Sequence, residues 1–255
     1  MERVVWVDNL MLGPFTKFNI EVPLNSFTII TGSNKSGKSL LLKVIAGVVN
    51  TKRVTYNREI IKNDKDIAFF ADFVFNFNSV LKTIRYPLEC LGMDDEKIKK
   101  IVKDMAKDLD ITKLLDSKIK DLNDFEKLKV ALASLLVSGP KLLILDDPCL
   151  YLSFYEKEEF MGILEQVRSS GTTIIMSCSS LEEVVYTINS TLYVLDKGNI
   201  VSSGDSLKVL SDDSLLNKVG LELPFMVDLS VKLEYYNLAE KINMSPLGLV
   251  DSLWK

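Results

Sequence analysis

The chain has 255 residues, of which 47% are hydrophobic and 26% charged, the balance of a soluble globular protein with room for one large domain and a small appendage. A formal net charge of −4 argues against a sequence-independent nucleic-acid binder, which needs a basic surface. Three scattered cysteines (Cys90, Cys149, Cys178) suit a reducing compartment and supply neither a disulfide framework nor a zinc site, and histidine is absent. No apolar run reaches the roughly 18 residues of a membrane span. Met1-Glu2-Arg3-Val4 passes straight into a strand-like run, with no signal-peptide pattern.

In chain order, residues 3–8, 18–22 and 27–31 read as short strands, with Pro14 and Pro23-Leu24-Asn25-Ser26 supplying turns. Thr51 to Asn57 reads as another strand and Ile67 to Phe70 as a buried one. From Asn76 to Ser138 the pattern turns helical. Asp94-Asp95-Glu96 caps a helix with Ile98, Ile101, Met105 and Leu109 as its apolar face and lysines on its solvated face. A second helix covers Asp124 to Val137. Lys141 to Asp146 is an apolar strand ending in an acid. Helices over Tyr155 to Ser169 and Leu181 to Ile188 flank a buried strand over Thr172 to Ser177. Thr191 to Asp196 and Ile200-Val201 form a hairpin around Lys197-Gly198-Asn199. This alternation predicts an α/β fold, a mostly parallel sheet flanked by helices. Beyond Asp205 the chain reads as less regular helix, with Pro224 and Ser245-Pro246 as helix starts. Trp6 reads as core-facing. There is no internal repeat.

One stretch carries chemistry outright. Gly32-Ser33-Asn34-Lys35-Ser36-Gly37-Lys38-Ser39 fills every fixed position of G-x-x-x-x-G-K-[ST], between a strand (Phe27 to Thr31) and a helix (Leu40 to Ala46). The glycines let backbone N–H groups converge on phosphate oxygens, and the helix N-terminus adds partial positive charge. Lys38 would bridge the β- and γ-phosphates, and the Ser39 hydroxyl would ligate Mg²⁺. These residues and the following Leu40 form the expected ATP site. Asp146, ending its strand, is the expected second Mg²⁺ residue.

The order of parts resembles the nucleotide-binding subunit of ABC transporters over nearly the whole chain. Glu89-Cys90-Leu91-Gly92-Met93 looks like the segment after the Q-loop in the energy-coupling factor ATPases. Ser203-Gly204-Asp205 through Leu215-Leu216, then Gly220-Leu221-Glu222-Leu223-Pro224, resembles the start of their C-terminal extension. The resemblance implies a P-loop ABC ATPase domain over residues 1–210, with an N-terminal antiparallel β subdomain and a helical subdomain at about 76–138. A helical extension over 211–255 follows. It also implies ATP and Mg²⁺, a second ATPase subunit (a copy or an intact homologue) and a transmembrane component gripped near Asp72 to Ser79. The expected location is cytoplasmic, peripheral on the inner face of the membrane, with no nucleic-acid partner.

Several positions depart from the family. Leu122-Asn123-Asp124-Phe125-Glu126 replaces Leu-Ser-Gly-Gly-Gln, which in the family clasps the γ-phosphate held by the opposing subunit; Asp124 adds negative charge there and Phe125 bulk. Lys127, Ala131, Leu132 and Ala133 still match the following helix. Ala71 stands where the Q-loop Gln is expected, and Cys178-Ser179 where the switch His belongs. Ser153 replaces the D-loop Asp. Asp147, the expected catalytic acid, replaces Glu and is one methylene short; a misplacement of about 1 Å can cost on the order of 10²-fold in rate. The sequence therefore leaves two readings open: a transport ATPase subunit with weak or absent intrinsic hydrolysis, and a non-catalytic nucleotide-binding regulatory or scaffold module. A small-molecule kinase is disfavoured by the Lys197-Gly198 hairpin and the Gly220 to Pro224 segment. Phe15 is a candidate adenine-stacking residue or a core aromatic. Cys149 and Cys178 read as packing residues.

Overall fold

The computed structural model describes residues 2–187, 189–238 and 248–250. Nine strands among them form two sheets. β1 (Arg3–Leu12), β2 (Phe15–Pro23) and β4 (Val54–Tyr56) make an antiparallel sheet in the order β2-β1-β4. β3 (Phe27–Gly32), β5 (Ile67–Phe70), β6 (Leu142–Asp146), β7 (Thr173–Ser177), β8 (Thr191–Asp196) and β9 (Asn199–Asp205) make the second, in the order β5-β6-β7-β3-β8-β9. All its pairings are parallel except that of β8 with β9.

The continuous apolar runs of β3, β6 and β7 follow from this placement, since a parallel strand covered on both faces must be apolar on both. The period of two divides their side chains between two cores. Phe27, Ile29, Leu143, Leu145, Ile174 and Met176 enter one, shared with α2 (Val80–Cys90), α3 (Asp95–Asp108), α4 (Asp124–Leu136) and α5 (Phe154–Ser169). Ile30, Leu142, Ile144 and Ile175 enter the other, with the antiparallel sheet and Leu41, Leu42, Val44 and Ile45 of α1 (Lys38–Ile45). The three short helices α6 (Ser206–Leu210), α7 (Asp213–Lys218) and α8 (Phe225–Tyr235) come last.

The structure corrects the sequence reading in several places. Trp6 is half-buried and outside both cores, because burial of Val5 and Val7 on β1 turns it to the opposite face. Only Val54–Tyr56 of the Thr51 to Asn57 segment is strand, since β1 offers it just Val5 to Val7. The helical region begins at Val80, where the Ser79 hydroxyl accepts a hydrogen bond from the Lys82 N–H. On α3 the fully buried stripe is Ile98, Val102 and Ala106, leading to Leu109; Ile101 and Met105 pack only partly at its edge. The segment after β7 contracts to a 3₁₀ turn, Glu182–Tyr186. Ile188 and the Ser245-Pro246 start lie outside the described residues. Pro224 does open a helix, as the N-cap of α8.

Candidate functional site

The site forms where β3, β6 and β7 end. Gly32 sits at φ 146°, and a Cβ there would lie 2.0 Å from the Leu195 carbonyl oxygen of β8, so only glycine lets the loop leave the sheet at this point. Gly37, at φ 109°, turns the loop into α1. The Lys38 ammonium folds over the loop, donating to the carbonyls of Gly32 at 2.7 Å and Ser33 at 3.3 Å. Burial pushes its pKa below the ordinary lysine value, while Asp147 and Asp146 work in the opposite sense.

The β8–β9 hairpin pins the loop from outside. The Gly198 N–H donates to the Ser36 carbonyl at 3.1 Å, and the Ser33 hydroxyl to Asp196 Oδ1 at 2.8 Å. Neither Asp196 nor Gly198 stands out in sequence as part of the site. The Ser36 hydroxyl is buried with no hydrogen-bond partner, an orphan donor inside a phosphate-type loop.

At the ends of β6 and β7, five side chains interlock. The Ser39 hydroxyl donates to Asp146 Oδ1 at 3.0 Å, and the Ser177 hydroxyl to the same oxygen at 2.7 Å. Ser177 Oγ in turn accepts the Asp147 N–H at 2.9 Å. Asp147 adopts a left-handed φ of 48°, and its Oδ2 accepts a hydrogen bond from the Ser179 hydroxyl. Ser177 went unnoticed in sequence because only the β6–β7 register, which pairs it with Asp146, reveals its role. A cleft of about 290 Å³ gathers Asn34 to Leu40, Asp146 and Asp147. Gly32 and Ser33 are tied to it through their carbonyls, which accept from Lys38. A neighbouring cavity of about 260 Å³ joins Ser39, Asp146 and Asp147 to Ala71, Asp72 and Tyr151. Ala71, at the position expected for the Q-loop Gln, thus lines this cavity together with Asp72.

These residues fit a magnesium nucleotide. Ser39 and Asp146 are hard oxygen donors already within hydrogen-bond distance of one another. Mg²⁺ is commonly held by one or two such groups together with phosphate oxygens and water. The orphan Ser36 hydroxyl and the N-terminus of α1 suit an anionic ligand.

Two aromatic residues lie elsewhere than their candidate roles require. Phe15 is 2% exposed, with its ring centroid 4.7 Å from that of Phe18 and its edge against Gly37. It supports the loop from the core and offers adenine no face. Phe125 is buried too, with the Lys129 ammonium 4.7 Å from its ring centroid, so its bulk enters the helical core and adds nothing to the exposed N-terminal end of α4. That end is closed differently. Asn123 Oδ1 accepts the Glu126 N–H at 2.8 Å, and Glu126 Oε2 accepts the Asn123 N–H at 2.9 Å, a reciprocal cap beside the exposed Asp124. Cys149 and Cys178 are buried and burial raises both thiol pKa values, whereas Cys90 is exposed. A chromogenic disulfide reagent is expected to titrate Cys90 alone in the native chain and all three thiols after denaturation; rapid reaction of a second native thiol would contradict this packing.

A family model described as ABC transporter matches residues 15–150. Among curated relatives, the energy-coupling factor transporter ATP-binding protein EcfA3 of Oenococcus oeni is 29% identical, across 85% of this chain and 80% of its own length. The corresponding EcfA1 protein of Mesomycoplasma hyopneumoniae is 26% identical across 98% of this chain and 93% of its own. Among solved structures, cbiO1 of Clostridium perfringens, part of the ABC transporter complex cbiONQ, superposes with a TM-score of 0.75 at 24% identity, covering 86% of this chain and 95% of that one. With its phosphate loop, Asp146 and sheet order in place, the chain belongs to the ABC transporter ATP-binding family.

Proposed function

We propose that this chain is an ATP-binding subunit of an energy-coupling factor-like importer, which binds Mg-ATP at a dimer interface to drive uptake of a small solute and hydrolyses it weakly or not at all by itself. The observation that carries this reading is the junction of Ser39 and Asp146 at 3.0 Å beneath an intact phosphate loop, set against the self-capped N-terminus of α4. Loop amides and Lys38 would take the β- and γ-phosphates, while Ser39 and Asp146 would hold the cation. When bound, Mg²⁺ neutralises phosphate charge. Asp147, held by Ser179, is the candidate for polarising water. Neither a histidine nor a Q-loop glutamine assists it.

The α4 N-terminus supports an asymmetric pairing. The amides of Asn123 and Glu126 are bound by each other's side chains, and Asp124 adds a charge that repels phosphate. A partner with an intact signature would complete this chain's own nucleotide site. Leu150 and Tyr151, more than half exposed at the rim of that site, are apolar surface such a partner would cover. An aromatic groove of about 360 Å³, lined by Val74, Phe75, Phe77 and Tyr86, is the proposed seat of a transmembrane component. No helix among the described residues is long and apolar enough to cross a membrane, and the proposed location is the inner membrane face through that component.

The second reading, a non-catalytic nucleotide-binding module, is favoured by the same self-capped helix. Steady-state turnover of the purified chain, with Lys38→Ala as background, tests hydrolysis. The expected result is bound Mg-ATP with turnover at the background level. Clear turnover abolished by Lys38→Ala would overturn the claim of weak hydrolysis and make Asp147 a sufficient base.

A further inference from the structure

Lys157, in the first turns of α5, donates to Glu183 Oε1 at 2.7 Å. The Glu183 side chain is 4% exposed and that of Lys157 19%. The other carboxylate oxygen of Glu183 is buried without a partner. As a source of stability this pair is poor, because two desolvated charges with an unsatisfied oxygen seldom outperform apolar residues of the same volume. Burial pushes the Glu183 carboxyl up, with the Lys157 ammonium opposing.

The position of the pair gives it another use. Asp147 leads through Cys149 to Leu152 into α5, which carries Lys157; Ser179 leads within four residues to Glu183. The Ser179–Asp147 hydrogen bond closes these two segments at the nucleotide site, and Lys157–Glu183 closes them at the far end. The neighbouring Glu182 accepts the Phe225 N–H at 2.9 Å, so α8 holds the outer side of the same turn. An apolar contact can slide by a fraction of an ångström, whereas a charged contact at 2.7 Å fixes the spacing.

We propose that Lys157 and Glu183 are positioning residues, setting the separation of the Asp147 segment from the Ser177–Ser179 segment and thereby the geometry in which Asp146 and Asp147 meet a magnesium nucleotide. This rests on the Mg-ATP reading above. The pair lines neither cavity at the site and acts through the two serines that grip the acids.

The test is ATP affinity of the full chain with and without Mg²⁺, alongside its thermal transition, for wild type, Lys157→Met/Glu183→Leu and Glu183→Gln. The double variant keeps the volume. Its transition is expected at or above the wild-type temperature, while its Mg²⁺-dependent gain in ATP affinity falls about tenfold, the lower end of the effect of outer-shell partners. Affinity without Mg²⁺ stays at the wild-type value, because the phosphate loop is untouched. Glu183→Gln, which keeps shape and offers the Lys157 ammonium a neutral acceptor, gives an intermediate loss, and it decides the matter if the double variant fails to fold. A wild-type Mg²⁺ gain in a folded variant overturns the proposal alone. A wild-type chain that binds no Mg-ATP overturns the functional reading, and the proposal with it.

Discussion

Lys38→Ala is expected to weaken Mg-ATP binding about 100-fold without unfolding the chain. In the nucleotide-free geometry the ammonium is satisfied by two backbone carbonyls, those of Gly32 and Ser33, which water can serve equally well once the side chain is cut back. The fold therefore loses little. A phosphate loses charge-assisted hydrogen bonds worth about 1.5–3 kcal/mol each, and two at the lower bound already amount to about 100-fold. Titration calorimetry with Mg-ATP reads the affinity, and the thermal transition verifies the fold. A change under about threefold would mean that Lys38 does not face phosphate, and the site would have to be rebuilt around some other anion.

Gly198→Ala is expected to lower stability by about 3 kcal/mol, the upper range for overpacking a tight contact. For a chain of this size that is a fall of roughly 6–12 °C in the melting temperature. The added Cβ would lie 2.0 Å from the Pro14 carbonyl oxygen and 2.4 Å from its carbon, both backbone atoms that cannot rotate away, and φ is +78°. Either the β1–β2 turn or the β8–β9 turn has to move. Moving the latter breaks the Gly198 N–H bond to Ser36, so ATP affinity falls as well. Gly92→Ala is the control, at φ +67° with nothing within 4 Å of its Cβ. It carries only the left-handed backbone cost of about 1–2 kcal/mol. If the two variants melt together, the contact of Gly198 with Pro14 does not limit stability.

The parts of the site that are continuous in sequence were legible there. Gly32 to Ser39 sit between their strand and helix, and Asp146 ends its strand, as local pattern requires. The residues that complete the site were not. Ser177 reaches Asp146 only through the β6–β7 register, and Asp196 reaches Ser33 across 163 positions of chain, a pairing no local pattern encodes. Aromatic residues were ambiguous for another reason: a phenylalanine beside a motif satisfies the same hydrophobic rule whether it faces ligand or core. Packing sent Phe15 and Phe125 inward. The α3 stripe slipped for a similar reason, since 98-101-105 and 98-102-106 are both helical spacings and only contact with α2 and α4 distinguishes them.

The clasp of the β8–β9 hairpin on the phosphate loop also sets a timetable. During synthesis Ser33 emerges 163 residues ahead of Asp196, roughly ten to thirty seconds at typical translation rates of about 5–20 residues per second. Throughout that interval the loop has left the ribosome without the hairpin that holds its shape, and Ser36 lacks the amide of Gly198. The loop is thus expected to grip nucleotide weakly until those two hydrogen bonds form. Once the chain is complete, nucleotide at a hundredfold excess over Kd deepens the native basin by about 2.7 kcal/mol. In a cell rich in nucleotide, firm occupancy of this loop therefore reports that the chain has been made at least as far as the turn between β8 and β9.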